Sequence, residues 1–93
     1  MSGASGPERT GSETRWAEAL AATSFFAART AVSRLTPRPD ADPQAWMRYH
    51  RKAAQVYRRV SEVDTMHKYE AAGWAQAEEI LAERIKKTGT SKR

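Results

Sequence analysis

Residues 43–87 have the sequence PQAWMRYHRKAAQVYRRVSEVDTMHKYEAAGWAQAEEILAERIKK, with no proline after Pro43 and a single glycine, Gly73. Few positions therefore oppose helix formation. In the first half, apolar residues recur at alternating spacings of three and four, which is the period of an amphipathic helix. These residues are Trp46, Tyr49, Ala53, Val56, Val60 and Val63. The pattern predicts a helix over 43–63 with one apolar seam.

The apolar pattern shifts by one residue near Asp64. Beyond this point helical spacing is recovered by a second stripe of Met66, Tyr69, Gly73, Ala77 and Ile80. The residues around the shift are mediocre helix formers, and aspartate is a favoured capping residue. We therefore predict a break at Asp64, with Asp64 as the N-cap of a further helix over 65–87. The alternative is one uninterrupted helix over 43–87, which is long for a monomer and would need a partner chain.

A first helix is predicted over 13–35, where apolar residues again recur every three or four positions. The stripe consists of Ala17, Ala21, Phe25, Ala28, Val32 and Leu35. Thr36-Pro37 ends this helix, because proline disfavours helical backbone in the residue before it. Asp42-Pro43 begins the next helix, since aspartate accepts hydrogen bonds from free backbone N–H groups and proline fits the first turn.

Both ends of the chain are predicted to be flexible tails. Residues 1–12 contain three glycines, one proline and three serines, with no large side chain after Met1. Such a segment buries too little to offset its ordering entropy. Residues 88–93 are basic and include Gly89, a typical helix stop. The expected fold is all-α, a three-helix arrangement over 13–87 in which an N-terminal helix joins a helical hairpin. The alternative is a two-helix hairpin whose long C-terminal helix dimerises.

The composition allows one small domain with a thin core. The 93 residues include 17 alanines but only 11 leucine, isoleucine, valine and phenylalanine residues, so self-association would help stability. Cysteine is absent, which excludes disulfides and thiolate chemistry. Neither a nucleophile motif nor a glycine-rich phosphate loop is present. We therefore expect neither catalysis nor a cofactor.

The charges, which sum to +5, are distributed in blocks along the chain. Residues 29–59 carry seven arginines and one lysine against two aspartates, whereas residues 60–83 carry six carboxylates against one lysine. The favoured interpretation is that the basic helix folds back on the acidic one and is screened by it. The alternative is weak nucleic-acid binding by a basic face interleaved with Tyr49 and Tyr57. That face would consist of Arg48, Arg51, Lys52, Arg58 and Arg59.

The leading functional hypothesis is a non-catalytic helical module for protein interaction or self-assembly, such as an adaptor or regulator, and most simply a homodimer. Its partner-binding residues would be Trp46, Tyr49, Val56, Val60 and Val63. No run of 18 apolar residues and no signal-peptide pattern is present. We therefore expect a cytoplasmic location and no membrane contact.

One weak metal-site motif coincides with the predicted break. Asp64, His67 and Glu70 follow one another at intervals of three, and His50 and Glu78 could join them from neighbouring helices. Carboxylate sites in helix bundles use Glu-x-x-His pairs, but a dimetal site needs two such pairs. The chain offers one, with aspartate in place of glutamate. A capping role for Asp64 is therefore preferred, and no metal site is predicted.

Overall fold

The computed structural model describes residues 7–90, and this part of the chain is all-α, as predicted. Its α-helices are α1 (Pro7–Leu20), α2 (Phe25–Ser33), α3 (Pro43–Val63) and α4 (Lys68–Thr88), and a 3-10 turn at Thr65–His67 separates the last two. The most extensive contact joins α3 to α4, and α1 and α2 pack against α3 and each other. The Cα atoms span 43 × 36 × 16 Å. Since a helix is about 10–12 Å across, the molecule is a plate of at most two layers.

The helix predicted over 13–35 is divided by a break after Leu20. Ser24 has extended backbone and is the N-cap of α2, and its Oγ atom accepts a hydrogen bond from the backbone N–H of Ala27 at 3.1 Å. Serine is favoured at this position because its hydroxyl oxygen satisfies an N–H group that a helix start leaves without a partner. The prediction of one continuous helix is therefore wrong, because regular apolar spacing concealed this cap.

The other helix ends follow the predicted caps. Asp42 accepts a hydrogen bond at 3.0 Å from the backbone N–H two residues later, which confirms the start of α3. Gly89 ends α4 with a φ of 71°, a left-handed conformation that favours glycine. Since α1 begins at Pro7, it includes part of the predicted N-terminal tail. Residues 1–6 and 91–93 of the two predicted tails lie outside the described residues.

The core lies where α3 packs against its neighbours. Val56 and Val60 of the predicted seam are buried, Trp46 and Tyr49 are half-buried, and Val63 is exposed. Val56 and Val60, which we expected to meet a partner chain, are thus buried in the core of their own chain. The buried core cluster consists of Ala19, Phe25, Ala28, Val32, Ala53, Val56, Tyr57, Val60, Ala71 and Ala75.

The buried face of α4 differs from the prediction. The stripe predicted to be buried, from Met66 through Gly73 to Ile80, is exposed. The buried residues of α4 are Ala71, Ala75, Glu78, Ala82 and Ile85. The prediction was wrong because it assigned the larger apolar side chains to the core. In the structure the alanine-rich face of α4 is buried, because small side chains let two helix backbones approach closely.

Ala75 and Ala72 provide a test of this close packing. Ala75 is fully buried, whereas Ala72, on the same helix, is exposed. Ala75→Leu should lower the free energy of unfolding by about 1–3 kcal/mol, because the core has no space for the larger side chain. Ala72→Leu should change it by less than about 0.5 kcal/mol. Denaturant unfolding of both variants measures the difference, and equal effects would contradict a tight α3–α4 contact.

Candidate interaction surfaces

The five basic residues of the nucleic-acid hypothesis lie on one side of α3. At about 100° per residue they fall within a third of the helix circumference, and all five are exposed. Arg58 forms an ion pair with Glu79 of α4, which is one instance of the predicted screening of the basic helix by the acidic one. Within residues 13–90, the other four have no ion-pair partner. We call Arg48, Arg51, Lys52, Arg58 and Arg59 the basic face of α3.

The two tyrosines expected beside these residues pack against rings of the neighbouring helices instead. Tyr57 is buried, and this burial raises its pKa to about 12. Tyr49 is half-buried, with its ring centroid 6.1 Å from that of Trp16, and burial raises its pKa as well. The basic face therefore offers contacts to phosphate groups, but these tyrosines are not available to stack on bases.

Asp64 connects the end of α3 to the start of α2. Its Oδ2 atom accepts a hydrogen bond from the backbone N–H of Phe25 at 2.8 Å and lies 3.0 Å from Nδ1 of His67. The side chain makes no capping hydrogen bond to the 3-10 turn that follows it. Asp64 therefore satisfies a backbone N–H at the start of α2, beside the N-cap Ser24. The prediction that Asp64 caps the helix that follows it is wrong, because its carboxylate bonds to α2 instead. The Phe25 N–H, and to a smaller degree His67, hold the pKa of Asp64 below its ordinary value of 3.8.

The residues of the metal motif are only partly brought together. Asp64 and His67 are adjacent, and His50 meets Glu78 elsewhere, between α3 and α4, with 2.5 Å between Nδ1 and Oε1. Both members of this second pair are largely buried, so each provides a hydrogen-bond partner for a polar group with little access to water. Among the residues that the structure describes, no group of three histidine or carboxylate side chains is placed to hold a metal ion.

The side of α4 opposite the core has an apolar centre. Tyr69, Gly73, Gln76 and Ile80 recur there at spacings of four, three and four, and we call these residues the outer face of α4. Tyr69 is 85% exposed, Ile80 is 51% exposed, and Met66, just before the helix, is 88% exposed. A Cβ atom at Gly73 would meet no atom within 4 Å. Nothing in the described chain therefore requires a glycine at position 73. Its presence is unexpected, because glycine makes a helix less stable than alanine does, by about 1 kcal/mol.

A groove of about 470 Å³ lies between α1 and α3. Its lining is mostly apolar and comes from α1, from α3 and from the segment that follows α2. The lining residues are Glu13, Trp16, Ala17, Leu20, Leu35, Pro37, Ala45, Arg48, Tyr49 and Lys52. We call this concavity the α1–α3 groove; it was not anticipated from the sequence, because its walls come from segments distant in the chain.

The chain matches no protein-family model, no curated protein and no solved structure. Within residues 7–90, no helix combines the length and the hydrophobicity needed to span a membrane. Function therefore has to be inferred from the basic face, the outer face of α4 and the α1–α3 groove.

Asp64 should stabilise the protein only while its carboxyl group is ionised. Because the pKa is lower in the folded state, the stabilisation is complete above about pH 3.8 and is lost as the pH falls through the folded-state pKa. Asp64→Asn should therefore lower the melting temperature at neutral pH, and the gap to the wild type should close in acid. Thermal unfolding followed by circular dichroism measures this gap.

His67→Ala is the control for this experiment, since it leaves the hydrogen bond from Phe25 to Asp64 in place. Its melting temperature at neutral pH should lie closer to that of the wild type than the melting temperature of Asp64→Asn does. If the gap caused by Asp64→Asn persisted unchanged in strong acid, Asp64 would act through packing rather than through its charge.

Proposed function

We propose that the protein is a non-catalytic helical interaction module that associates with itself through the outer face of α4. The observation that supports this proposal is that α4 has apolar residues on two opposite sides. Only one of these sides is covered by other helices of the chain. The uncovered side presents Tyr69 and Ile80 on either side of Gly73. Tyrosine is enriched at protein interfaces, and a glycine without a local role is explained by the close approach of another helix.

A second copy of the chain is the partner that this face fits most simply. The outer face is bordered by two acidic and two basic residues, Glu79, Glu83, Arg84 and Lys87. A second copy of the same face therefore offers an opposite charge to each of these groups. The basic face of α3 would instead repel its own copy. Association through α4 would also add to the small apolar area that the chain buries on its own.

A two-fold contact uses the same residues on both copies. If two α4 helices pack antiparallel about the point between Gln76 and Ala77, Ile80 of each copy lies opposite Gly73 of the other. The isoleucine side chain then occupies the open space at the glycine. In the same arrangement Arg84 lies opposite Tyr69, where a guanidinium can contact the face of an aromatic ring.

Light scattering tests the association directly. The wild type at tens of micromolar should show a mass above 10.4 kDa. Ile80→Glu should restore the monomer mass, because it places a charge at the centre of the contact, and Ile80 is exposed enough for the fold to tolerate the change. Thr30→Glu, at an exposed position of α2, adds the same charge away from the contact and should leave the mass unchanged. A monomeric wild type would contradict the proposal.

Gly73→Ala has effects of opposite sign on folding and association. In the monomer it should raise the free energy of unfolding by about 0.5–1 kcal/mol, because alanine favours helix and its methyl group meets open space. In the dimer the methyl group takes the place of Ile80 from the other copy, so association should weaken. Denaturation at low concentration and light scattering at high concentration separate the two effects. Association as tight as that of the wild type would refute the glycine contact.

Nucleic-acid binding by the basic face of α3 is the second candidate function. It is favoured by five exposed cations on one side of one helix, four of them without an ion-pair partner within residues 13–90. Such a face would bind phosphates weakly, without sequence preference and with strong salt dependence. The packing of Tyr49 and Tyr57 against rings of the neighbouring helices removes the base-stacking contribution that the sequence suggested.

Arg51→Glu combined with Arg58→Glu should abolish any binding to duplex DNA or RNA while leaving the helix content unchanged. Wild-type affinity should fall with salt at a logarithmic slope of about −4, the value for four to five phosphate contacts. Arg34→Glu combined with Arg38→Glu makes the same change in net charge outside α3 and should preserve binding. Fluorescence anisotropy with labelled duplexes measures all three proteins. No binding by the wild type at low salt would leave screening as the role of the basic face.

A further inference from the structure

The α1–α3 groove has an aromatic and aliphatic lining. The rings of Trp16 and Tyr49 contact each other at a centroid distance of 6.1 Å and form part of its wall. Leu20 and Leu35 add aliphatic surface, and both remain partly accessible to solvent. The volume of about 470 Å³ lies within the range of small-molecule sites. An apolar group of moderate size would therefore be removed from water on entering the groove.

The polar side chains of the groove carry an excess of positive charge. Arg48 and Lys52 are four residues apart on α3, so they are neighbours on the helix surface, and Glu13 of α1 is the one acidic residue of the lining. None of the three forms an ion pair within residues 13–90. The two cations thus remain available to a ligand, and the complementary ligand carries a negative group.

The length of the groove favours a small molecule over a protein segment. Its walls extend from Glu13 to Leu20 on α1 and from Ala45 to Lys52 on α3, which is roughly 10 Å in each case. A stable protein interface buries about 800 Å² on each partner, much more than so short a groove provides. The occupant is therefore smaller than a docked helix.

We infer that the α1–α3 groove binds a monomeric amphiphilic anion of the fatty-acid type. The carboxylate head pairs with Arg48 and Lys52, and the alkyl chain contacts the indole of Trp16 and the side chains of Leu20 and Leu35. The site shares no residue with the outer face of α4, so it does not depend on self-association. No covalent step is involved, and release returns the ligand unchanged.

Dodecanoate below its micellar concentration is the probe, and the indole N–H signals in nitrogen-15 NMR spectra are the reporters. Trp16 lines the groove, whereas the Trp74 ring lies beneath the guanidinium of Arg29, 4.2 Å from its Cζ atom. Titration should shift the Trp16 signal to saturation and leave the Trp74 signal in place. Absence of a Trp16 shift, or equal shifts of both signals, would overturn the inference.

Two double variants separate a specific site from general attraction. Arg48→Gln with Lys52→Gln should weaken dodecanoate binding by about tenfold or more, the equivalent of about 1.4 kcal/mol. Arg51→Gln with Arg59→Gln removes the same charge from the same helix outside the groove and should change affinity less than about twofold. Glu13→Gln should strengthen binding, because it removes the one negative charge of the lining. Equal losses in the two double variants would overturn the inference.

Head-group chemistry and ligand source are tested with two further probes. Dodecyltrimethylammonium has the same alkyl chain with a cationic head and should not shift the Trp16 signal. Vesicles of anionic phospholipid present a negative surface instead of a free molecule. Vesicle binding that requires Arg48 and Lys52, together with no response to dodecanoate, would overturn the inference in favour of a membrane surface.

Discussion

The close contact between α3 and α4 is the interaction on which the rest of the structure depends. The alanines of α4, such as Ala71 and Ala75, let the helices approach, and they share one buried cluster with Val56 and Val60 of α3. Phe25 of α2 packs against Tyr57 and Trp74, one ring from each helix of the hairpin. The position of α2 therefore depends on contacts with both helices of the hairpin, α3 and α4.

Much of the fold could be predicted from local signals. Proline, aspartate and glycine at Pro43, Asp42 and Gly89 set helix ends that the structure confirms, because their effects act within one turn of backbone. The break at Asp64 was also predicted correctly, whereas the partner that it caps was not. The hydrogen bond from Phe25 to Asp64 joins residues 39 positions apart, and no local pattern encodes that proximity.

The candidate surfaces were less predictable than the fold, because they depend on which face of each helix is buried. Hydrophobic spacing assigned Tyr69 and Ile80 of α4 to the core, although the helix has a second face at the same spacing, the one that includes Ala75 and Glu78. Counting apolar side chains favours the first face. Packing against α3 favours the second, since a short interhelix distance excludes large residues and His50 supplies a partner for the buried carboxylate of Glu78.

Exposure alone does not distinguish an interaction surface, because folded proteins expose many apolar atoms. Phe26 is 80% exposed at the start of α2, yet it has no apolar pattern around it comparable to that of α4. Tyr69 and Ile80 differ in sharing one helix face with Gly73, a residue that weakens the helix and has open space around it. In an isolated chain this combination has only costs, since the glycine reduces helix stability and the large side chains gain no burial. A second helix packed against this face would fill the space at Gly73 and bury Tyr69 and Ile80. Self-association is therefore supported by the outer face of α4 and not by the total number of exposed apolar residues.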